Sequence, residues 1–334
     1  MFFSSVKSKK MFSVQQFHRT DICILRDLGY KVILSNSVFN YLKFWKYDIA
    51  FIYFYRYGLF SAIIAKLFRK KVLFTGGIDN LDKEYAGIKK YNIQKIFFQL
   101  CLLFSDKNII VSNSDLRNIK IFKPNLSLNN FPLSFHVIDF DSYKCCDVLN
   151  KEKILTTIAW MLGEDNVIRK GVDKSLYLFK KLHELDSEYR MIIVGPQGKG
   201  THLVRKIIKD ENLDGLVTLT GAINEKEKIK ILKRSSIYSQ LSYYEGFGIA
   251  AIEALASGNV VVHSGKGGLK DGIGSYGIQV ENDNYDQISS NINNILLNSQ
   301  IKAEMIKQGI QYVSENFKYE KRLNDFQNIF KSLK

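Results

Sequence analysis

Residues 242–271 read SYYEGFGIAAIEALASGNVVVHSGKGGLKD. Two glutamates, Glu245 and Glu253, stand eight positions apart in this stretch. Between them lie the turn Gly246-Phe247-Gly248 and the start of an alanine-rich helix. Ser257-Gly258 ends that helix, Val260-Val261-Val262 is an all-apolar strand, and Gly265, Gly267 and Gly268 form a second glycine loop. Two glycine loops facing one helix N-terminus suit a phosphate-bearing ligand. Backbone N–H groups approach it closely there, and the helix dipole favours negative charge. Carboxylates beside such a site suit hydroxyls, because an ionised carboxylate only accepts hydrogen bonds. Phosphate plus many hydroxyls describes a nucleotide sugar.

The same alternation of strand and helix runs outward in both directions. In the first half, strands are expected at Phe2–Val6, Lys31–Leu34, Ile49–Tyr55, Lys71–Phe74 and Asn108–Val111. Helices are expected at Thr20–Gly29, Leu59–Phe68 and Ile93–Phe104. In the second half, strands are expected at Ile154–Ala159, Tyr189–Val194, Val217–Leu219, Ile237–Leu241 and Val260–His263. Helices fall at Lys174–His183, Thr201–Asp210 and Glu225–Arg234, with helical pattern again after Gln287. Such alternation implies parallel sheets with crossover helices, an α/β fold. Residues 124–150 are irregular and hold two of the three prolines, which puts a domain boundary near 150. The expected division is 1–150, 151–310 and a helical tail, 311–334.

At 334 residues the chain has room for two cores. Its formal charge of +15 is uneven. Residues 1–150 carry 22 Lys and Arg against 11 Asp and Glu, the remainder 26 against 22. Eighteen of the 23 phenylalanines also lie in the first part. A basic, aromatic-rich half points first to an anionic surface such as membrane phospholipid, next to a plain solvated basic face, and last to nucleic acid, because the cations are spread over several segments and form no nucleic-acid module. The cysteines, Cys23, Cys101, Cys145 and Cys146, form no CxxC pair and have no histidine cluster beside them. Neither zinc nor a disulfide framework is expected, which fits a reducing cytoplasm. The longest hydrophobic stretch, Ile49 to Phe68, is broken by Arg56, Gly58 and Lys66 and is too short to span a bilayer.

The pattern E-GFGIAAI-E, followed by EALASG, the valine strand and the GG loop, resembles the retaining glycosyltransferases of the two-Rossmann-domain GT-B architecture, specifically glycosyltransferase family 4. The resemblance implies two Rossmann-like domains facing a cleft: an acceptor-binding domain, a nucleotide-sugar-binding domain, and a C-terminal helix that returns to the first. It implies that Glu245 lies beside the donor sugar and that Glu253 accepts hydrogen bonds from the ribose. Phe247 and Gly248, with Gly246, would offer backbone N–H groups, and Gly267 and Gly268 further ones near the diphosphate. In Ile168-Arg169-Lys170-Gly171 the family's lysine falls on Lys170, which would neutralise the diphosphate with Arg169 beside it. Gly195 and Ile223 lie where relatives hold the base.

Two departures stand out. The family's arginine after a glycine is here Glu164, after Gly163. The family's histidine after the strand at 71–74 is replaced by Thr75-Gly76-Gly77-Ile78-Asp79. Gly76, Gly77, Asp79 and His18 are then the acceptor-side candidates.

The implied reaction is a retaining, metal-independent hexosyl transfer without a cofactor, from a nucleotide sugar, UDP-linked before GDP-linked. The acceptor would be a hydroxyl of a lipid-linked saccharide, in lipopolysaccharide or capsule synthesis. The expected location is cytoplasmic, peripheral on the inner membrane face. Asp139-Phe140-Asp141, the one Asp-x-Asp triplet, lies in the expected linker and is not read as a metal site. Two other readings remain open: a catalytically weak nucleotide-sugar-binding partner subunit, and an epimerase of the same fold.

Overall fold

The computed structural model describes residues 1–333 other than 146, so Cys146 lies outside the described residues. By contacts the chain divides into two units, Met1–Val137 with Tyr319–Lys334, and Ile138–Lys318.

The first unit holds a parallel sheet of β1 (Phe2–Phe3), β2 (Leu34–Ser35), β3 (Ile49–Tyr53), β4 (Lys71–Thr75) and β5 (Lys107–Ile109), in the order β2-β1-β3-β4-β5. Its central strands are apolar on both faces, as a parallel sheet covered by helices on each side requires. Alternation along β3 sorts the two layers. Ala50 and Ile52 join one core cluster with Tyr55, Leu59, Ala62 and Phe98 from helices Tyr55–Leu67 and Lys83–Leu103. Phe51 and Tyr53 join another with Ile22 and Leu25 of helix Gln16–Asp27 and Phe326 and Phe330 of helix Tyr319–Lys331.

That last helix is fixed by a buried charge. Arg322, fully inaccessible, donates through Nε to Asp21 Oδ1 at 2.7 Å and through Nη2 to Oδ2 at 3.0 Å. Its Nη1 donates to the carbonyls of Ser134 at 2.5 Å and Phe135 at 2.9 Å. The Tyr53 hydroxyl donates to Asp21 as well. Every charge-bearing atom thus has a partner, the condition under which a buried ion pair is tolerated.

The second unit holds six parallel strands: β6 (Glu152–Ile158), β7 (Arg190–Val194), β8 (Val217–Gly221), β9 (Ser235–Gln240), β10 (Val260–His263) and β11 (Ile278–Gln279). Their order is β11-β10-β9-β6-β7-β8. Counted within the unit this is the doubly wound dinucleotide-fold order, 3-2-1-4-5-6 read from the β8 edge. Strands β9 and β10 are buried along their whole length, and Leu155, Met191 and Ile237 pack with Val172, Leu176 and Phe179 of helix Val172–Leu185.

The α/β expectation holds, with local differences. The first two strands are short, 2–3 and 34–35. Helix Tyr55–Leu67 begins where a strand was expected to continue, because Phe54 takes a left-handed φ of 71° and turns the chain. Helix Asn113–Phe122, unforeseen, is capped by the Ser112 hydroxyl, which accepts from the Asp115 N–H at 3.1 Å. The unit boundary falls after Val137, ahead of position 150. Phe140 and Tyr143 are buried in the second unit, and the Tyr143 hydroxyl donates to Glu225 there. The final stretch is not one helix. Ser299–Asn316 ends at Phe317, and the segment belonging to the first unit starts at Tyr319.

Candidate active site

In the second unit the strand order reverses between β6 and β9. The connection from β6 leads to one side and that from β9 to the other, so a crevice opens at their C-terminal ends. The β6 side supplies helix Glu164–Lys170; the β9 side supplies residues 241–248 and helix Ile249–Ala256. The two are stitched together. The Tyr243 N–H donates to the Arg169 carbonyl at 2.9 Å. Gly171, with φ 64°, ends the first helix, and a Cβ there would sit 2.0 Å from the Leu241 carbonyl oxygen.

This stitching brings Lys170 to Glu245. The Lys170 ammonium donates to Glu245 Oε1 in a close ion pair, with both side chains largely buried. Gln240 Nε2 and the Ser242 hydroxyl reach the same oxygen, each at 3.0 Å. Gln240 is held in turn, accepting from the Tyr238 hydroxyl at 2.5 Å and donating to Ser242 Oγ at 2.7 Å. Burial, with Glu245 and Glu253 nearby, pushes the Tyr238 phenol well above its usual range, so it stays a neutral donor. The result is a pre-set row of dipoles ending in a carboxylate and an ammonium.

The second glycine loop closes on the backbone of Glu245 from the β10 side. Gly268 N–H donates to the Glu245 carbonyl at 2.7 Å, and a Cβ on Gly267 (φ 63°) would meet that same oxygen at 2.2 Å. The GG pair is therefore required first by backbone packing against the EGFG turn; the Gly268 N–H is already committed. Gly248, at φ 87°, makes the turn into helix Ile249–Ala256. Phe247 is buried there and stands edge-on to Phe317, ring centroids 5.6 Å apart.

Glu253 is fully buried within that helix. Both its oxygens accept from Lys228 Nζ, at 2.9 and 2.8 Å. Burial raises its pKa and the lysine opposes that. Lys228 also lies 3.1 Å from Glu225 Oε1 and 5.4 Å from the Tyr143 ring centroid.

The remaining expected residues fall into two groups. Arg169 is half-buried beside Lys170, and Glu164 is exposed in the first turn of its helix, where a carboxylate meets the positive dipole end. Gly195 ends β7 at φ 143°, where a Cβ would lie 2.0 Å from the Ala159 carbonyl oxygen, and its N–H donates to Gly221. Ile223 is half-buried in the loop after β8.

In the first unit Gly76 and Gly77 take left-handed φ values of 65° and 70°, and Gly77 lies against Phe54. Asp79 is half-buried at the start of the short helix that follows. His18 differs from its expected place at an acceptor surface. It is wholly buried among Phe2, Phe12, Phe17 and Tyr53, neither ring nitrogen finds a partner, and burial lowers its pKa to about 3. Asp139 caps helix Phe140–Tyr143, accepting from the Ser142 hydroxyl at 2.6 Å. Among the described residues no group of three or more His, Cys, Asp or Glu is placed to hold a metal ion.

Sequence reasoning missed Gln240, Ser242, Lys228 and Tyr143. The first two had a signal: Tyr238, Gln240 and Ser242 alternate along the end of β9, so their polar side chains share one face. Lys228 had none, being one of several lysines in EKEKIKILKR.

Residues 165–312 match the family model described as "Glycosyl transferases group 1". The chain is 23% identical to an uncharacterised glycosyltransferase of Methanocaldococcus jannaschii, MJ1069, over 89% of this chain and 80% of the relative. It is 29% identical to a GDP-mannose:cellobiosyl-diphosphopolyprenol alpha-mannosyltransferase of Xanthomonas oryzae pv. oryzae, over 29% of this chain and 26% of the relative. Among solved structures it resembles Anabaena Alr3699/HepE in complex with UDP and glucose, with a TM-score of 0.78, 14% identity, and coverage of 99% of this chain and 98% of that one. The last likeness bears on fold, the first on sequence across the site just described. Together they establish that the chain is a glycosyltransferase on the GT-B architecture.

Proposed function

We propose that the second unit binds a nucleotide sugar at the β6/β9 crevice and that the enzyme transfers its hexosyl group, with retention, to a hydroxyl of a lipid-linked saccharide in cell-surface polysaccharide synthesis. The observation that carries the donor site is the meeting of Lys170 and Glu245 at the strand switch point. Lys170 is the cation that faces the diphosphate as negative charge grows on it. The N-terminus of helix Ile249–Ala256 adds a favourable field. Three donors converge on Glu245 Oε1, so we assign Oε2 to the sugar hydroxyls. Glu253, fixed by Lys228, accepts from the ribose.

In this reading the bond from the sugar's anomeric carbon to the diphosphate breaks on the face that the acceptor oxygen attacks. The acceptor's proton passes to a diphosphate oxygen, and no enzyme carboxylate is acylated or glycosylated. The fixed cation does the charge neutralisation, so the reaction needs no metal. UDP is favoured over GDP as the base carrier, supported by the UDP complex of the structural neighbour; the GDP-mannose relative keeps GDP in the test. A polyprenol-linked acceptor is supported by that same relative's name.

The test is transfer from labelled UDP- and GDP-sugars to a diphosphopolyprenol saccharide, with the product anomer read by NMR. A product keeping the donor's anomeric configuration, formed in EDTA and lost in Glu245→Gln, is expected. An inverted product, or turnover that requires added metal, contradicts the mechanism. Glu164, standing where a second cation was expected, favours one rival, a nucleotide-sugar-binding partner subunit. Donor binding without turnover on any acceptor would select it.

A further inference from the structure

The exposed apolar residues of the first unit form a pattern. On helix Tyr55–Leu67 the buried face is Leu59, Ala62 and Ala65, against the sheet. The opposite face carries Tyr57, Phe60 and Leu67, with Phe60 64% and Leu67 74% exposed. A helix at the surface of a globular domain normally turns polar residues that way. Helix Lys83–Leu103 packs beside it and adds Ile96, Leu100 and Leu103, again at helical spacing and again exposed. Arg56 spans the seam between the two helices, its guanidinium 5.8 Å from the Phe97 ring centroid. At the other margin Phe44 stacks on Phe68, centroids 4.0 Å apart, and Trp45 beside it is 67% exposed. Residues 38–42 and helix Lys83–Leu103 both pack against helix Tyr55–Leu67, and each of these elements carries exposed apolar side chains.

Its charge is one-sided. Between residues 38 and 71 there are seven Lys and Arg and a single acid, Asp48, which pairs with Lys70. Lys43 and Lys46 flank the exposed Trp45, and Arg69 follows Phe68. Lys89 and Lys90 are exposed on the second helix. Among the described residues no helix is long and apolar enough to cross a bilayer. Aliphatic and aromatic side chains framed by cations match a surface that is itself apolar below and anionic above. A nucleic acid would satisfy the cations and leave Phe60, Leu67 and Leu103 in water.

We propose that this face, made by residues 38–46, helix Tyr55–Leu67 and the second half of helix Lys83–Leu103, docks on an anionic lipid bilayer with its apolar side chains at the headgroup–acyl boundary. It deepens the lipid-linked acceptor reading, and for its purpose rests on it, by naming the surface that would bring the enzyme to such an acceptor.

The test uses the full chain with vesicles of phosphatidylcholine, with and without phosphatidylglycerol, read by co-sedimentation. Binding that needs the anionic lipid and weakens with salt is expected. The double variants Phe60→Ser/Leu67→Ser and Lys43→Glu/Lys46→Glu should each weaken it by at least about tenfold while UDP affinity stays unchanged, which shows that the variants are folded. No binding to anionic vesicles, or binding indifferent to both variants, overturns the proposal. So does a dimer in solution that the Phe60→Ser/Leu67→Ser variant abolishes, since a second copy then covers the face. Vesicle binding without transfer to any lipid-linked acceptor removes the acceptor reading and leaves the docking face standing.

Discussion

The two units use the same parallel α/β plan and spend their charge in opposite ways. In the second unit Lys170 meets Glu245 at the strand switch point and Lys228 meets Glu253 between two helices, the four residues coming from four different elements. In the first unit a fully buried ion pair, Arg322 with Asp21, fixes the returning helix and holds architecture together, while Lys43 and Lys46 flank the exposed Trp45 in the sequence. The lesson is that a buried ion pair in this fold is not by itself a catalytic mark. What sets the Lys170–Glu245 pair apart is its place at the strand switch point.

Breaking each pair should expose that difference, and the largest effect is expected from the structural one. Arg322→Met leaves Asp21 buried without a cation and should cost about 3–5 kcal/mol in urea unfolding. Arg322→Met/Asp21→Asn should recover a good part of it. A cost below about 1 kcal/mol would mean the helix is held by its apolar face alone.

Lys170→Ala should act on chemistry first. Loss of one fixed charge at the leaving group is expected to lower kcat/KM by about 100- to 1000-fold, a loss of roughly 2.7–4 kcal/mol. Steady-state kinetics with a varied donor check this, and an unaltered kcat/KM would remove Lys170 from the mechanism.

Gly267→Ala sharpens the same comparison through the backbone. Its Cβ would press on the Glu245 carbonyl at 2.2 Å from a left-handed φ. A cost of about 1–3 kcal/mol in unfolding, with weaker UDP binding, is expected. Normal UDP binding would show that the glycine loop can move without disturbing the carboxylate.

The smallest effect belongs to His18. Its folded pKa of about 3 lies below the ordinary 6.5, so the neutral form is the one the fold accepts. Its contribution to stability is present above pH 6.5 and is lost as pH falls from there toward 3, by up to about 1.4 kcal/mol per pH unit. His136 and His263 are shifted the same way by burial, so His18→Leu should flatten, not abolish, the acid side of a Tm-against-pH curve. At pH 7 the variant should be neutral or more stable by about 1 kcal/mol, since the unpaired ring nitrogens disappear. A destabilised variant with an unchanged pH slope would contradict this account.

What the sequence made legible was whatever depends on local pattern. Gly248 and Gly267 take left-handed φ values that favour glycine, and the buried valine strand suits a parallel sheet covered on both faces. Lys170 and Glu245 were named from two separate patterns, Ile168-Arg169-Lys170-Gly171 and E-GFGIAAI-E, although 75 positions separate them. Lys228 and Tyr143 were not, because their value comes only from standing over Glu253, a contact made by three separate helices. His18 was misjudged for a related reason: a histidine near a turn looks available, and only the packing of five surrounding rings shows that it is not. Helix Glu164–Lys170 escaped because seven residues between two glycines hold too few turns to show a period.

The most direct measurement of the central claim is calorimetric binding of UDP and GDP to the full chain in EDTA, for the parent protein and Lys170→Ala. The account predicts that one nucleotide, UDP, binds in the absence of metal and that the variant weakens it by at least about tenfold, as loss of a fixed cation beside a diphosphate should. Binding that appears only with added metal, or that is equal in Lys170→Ala, would contradict the assignment of Lys170 and Glu245 at the strand switch point as the donor site.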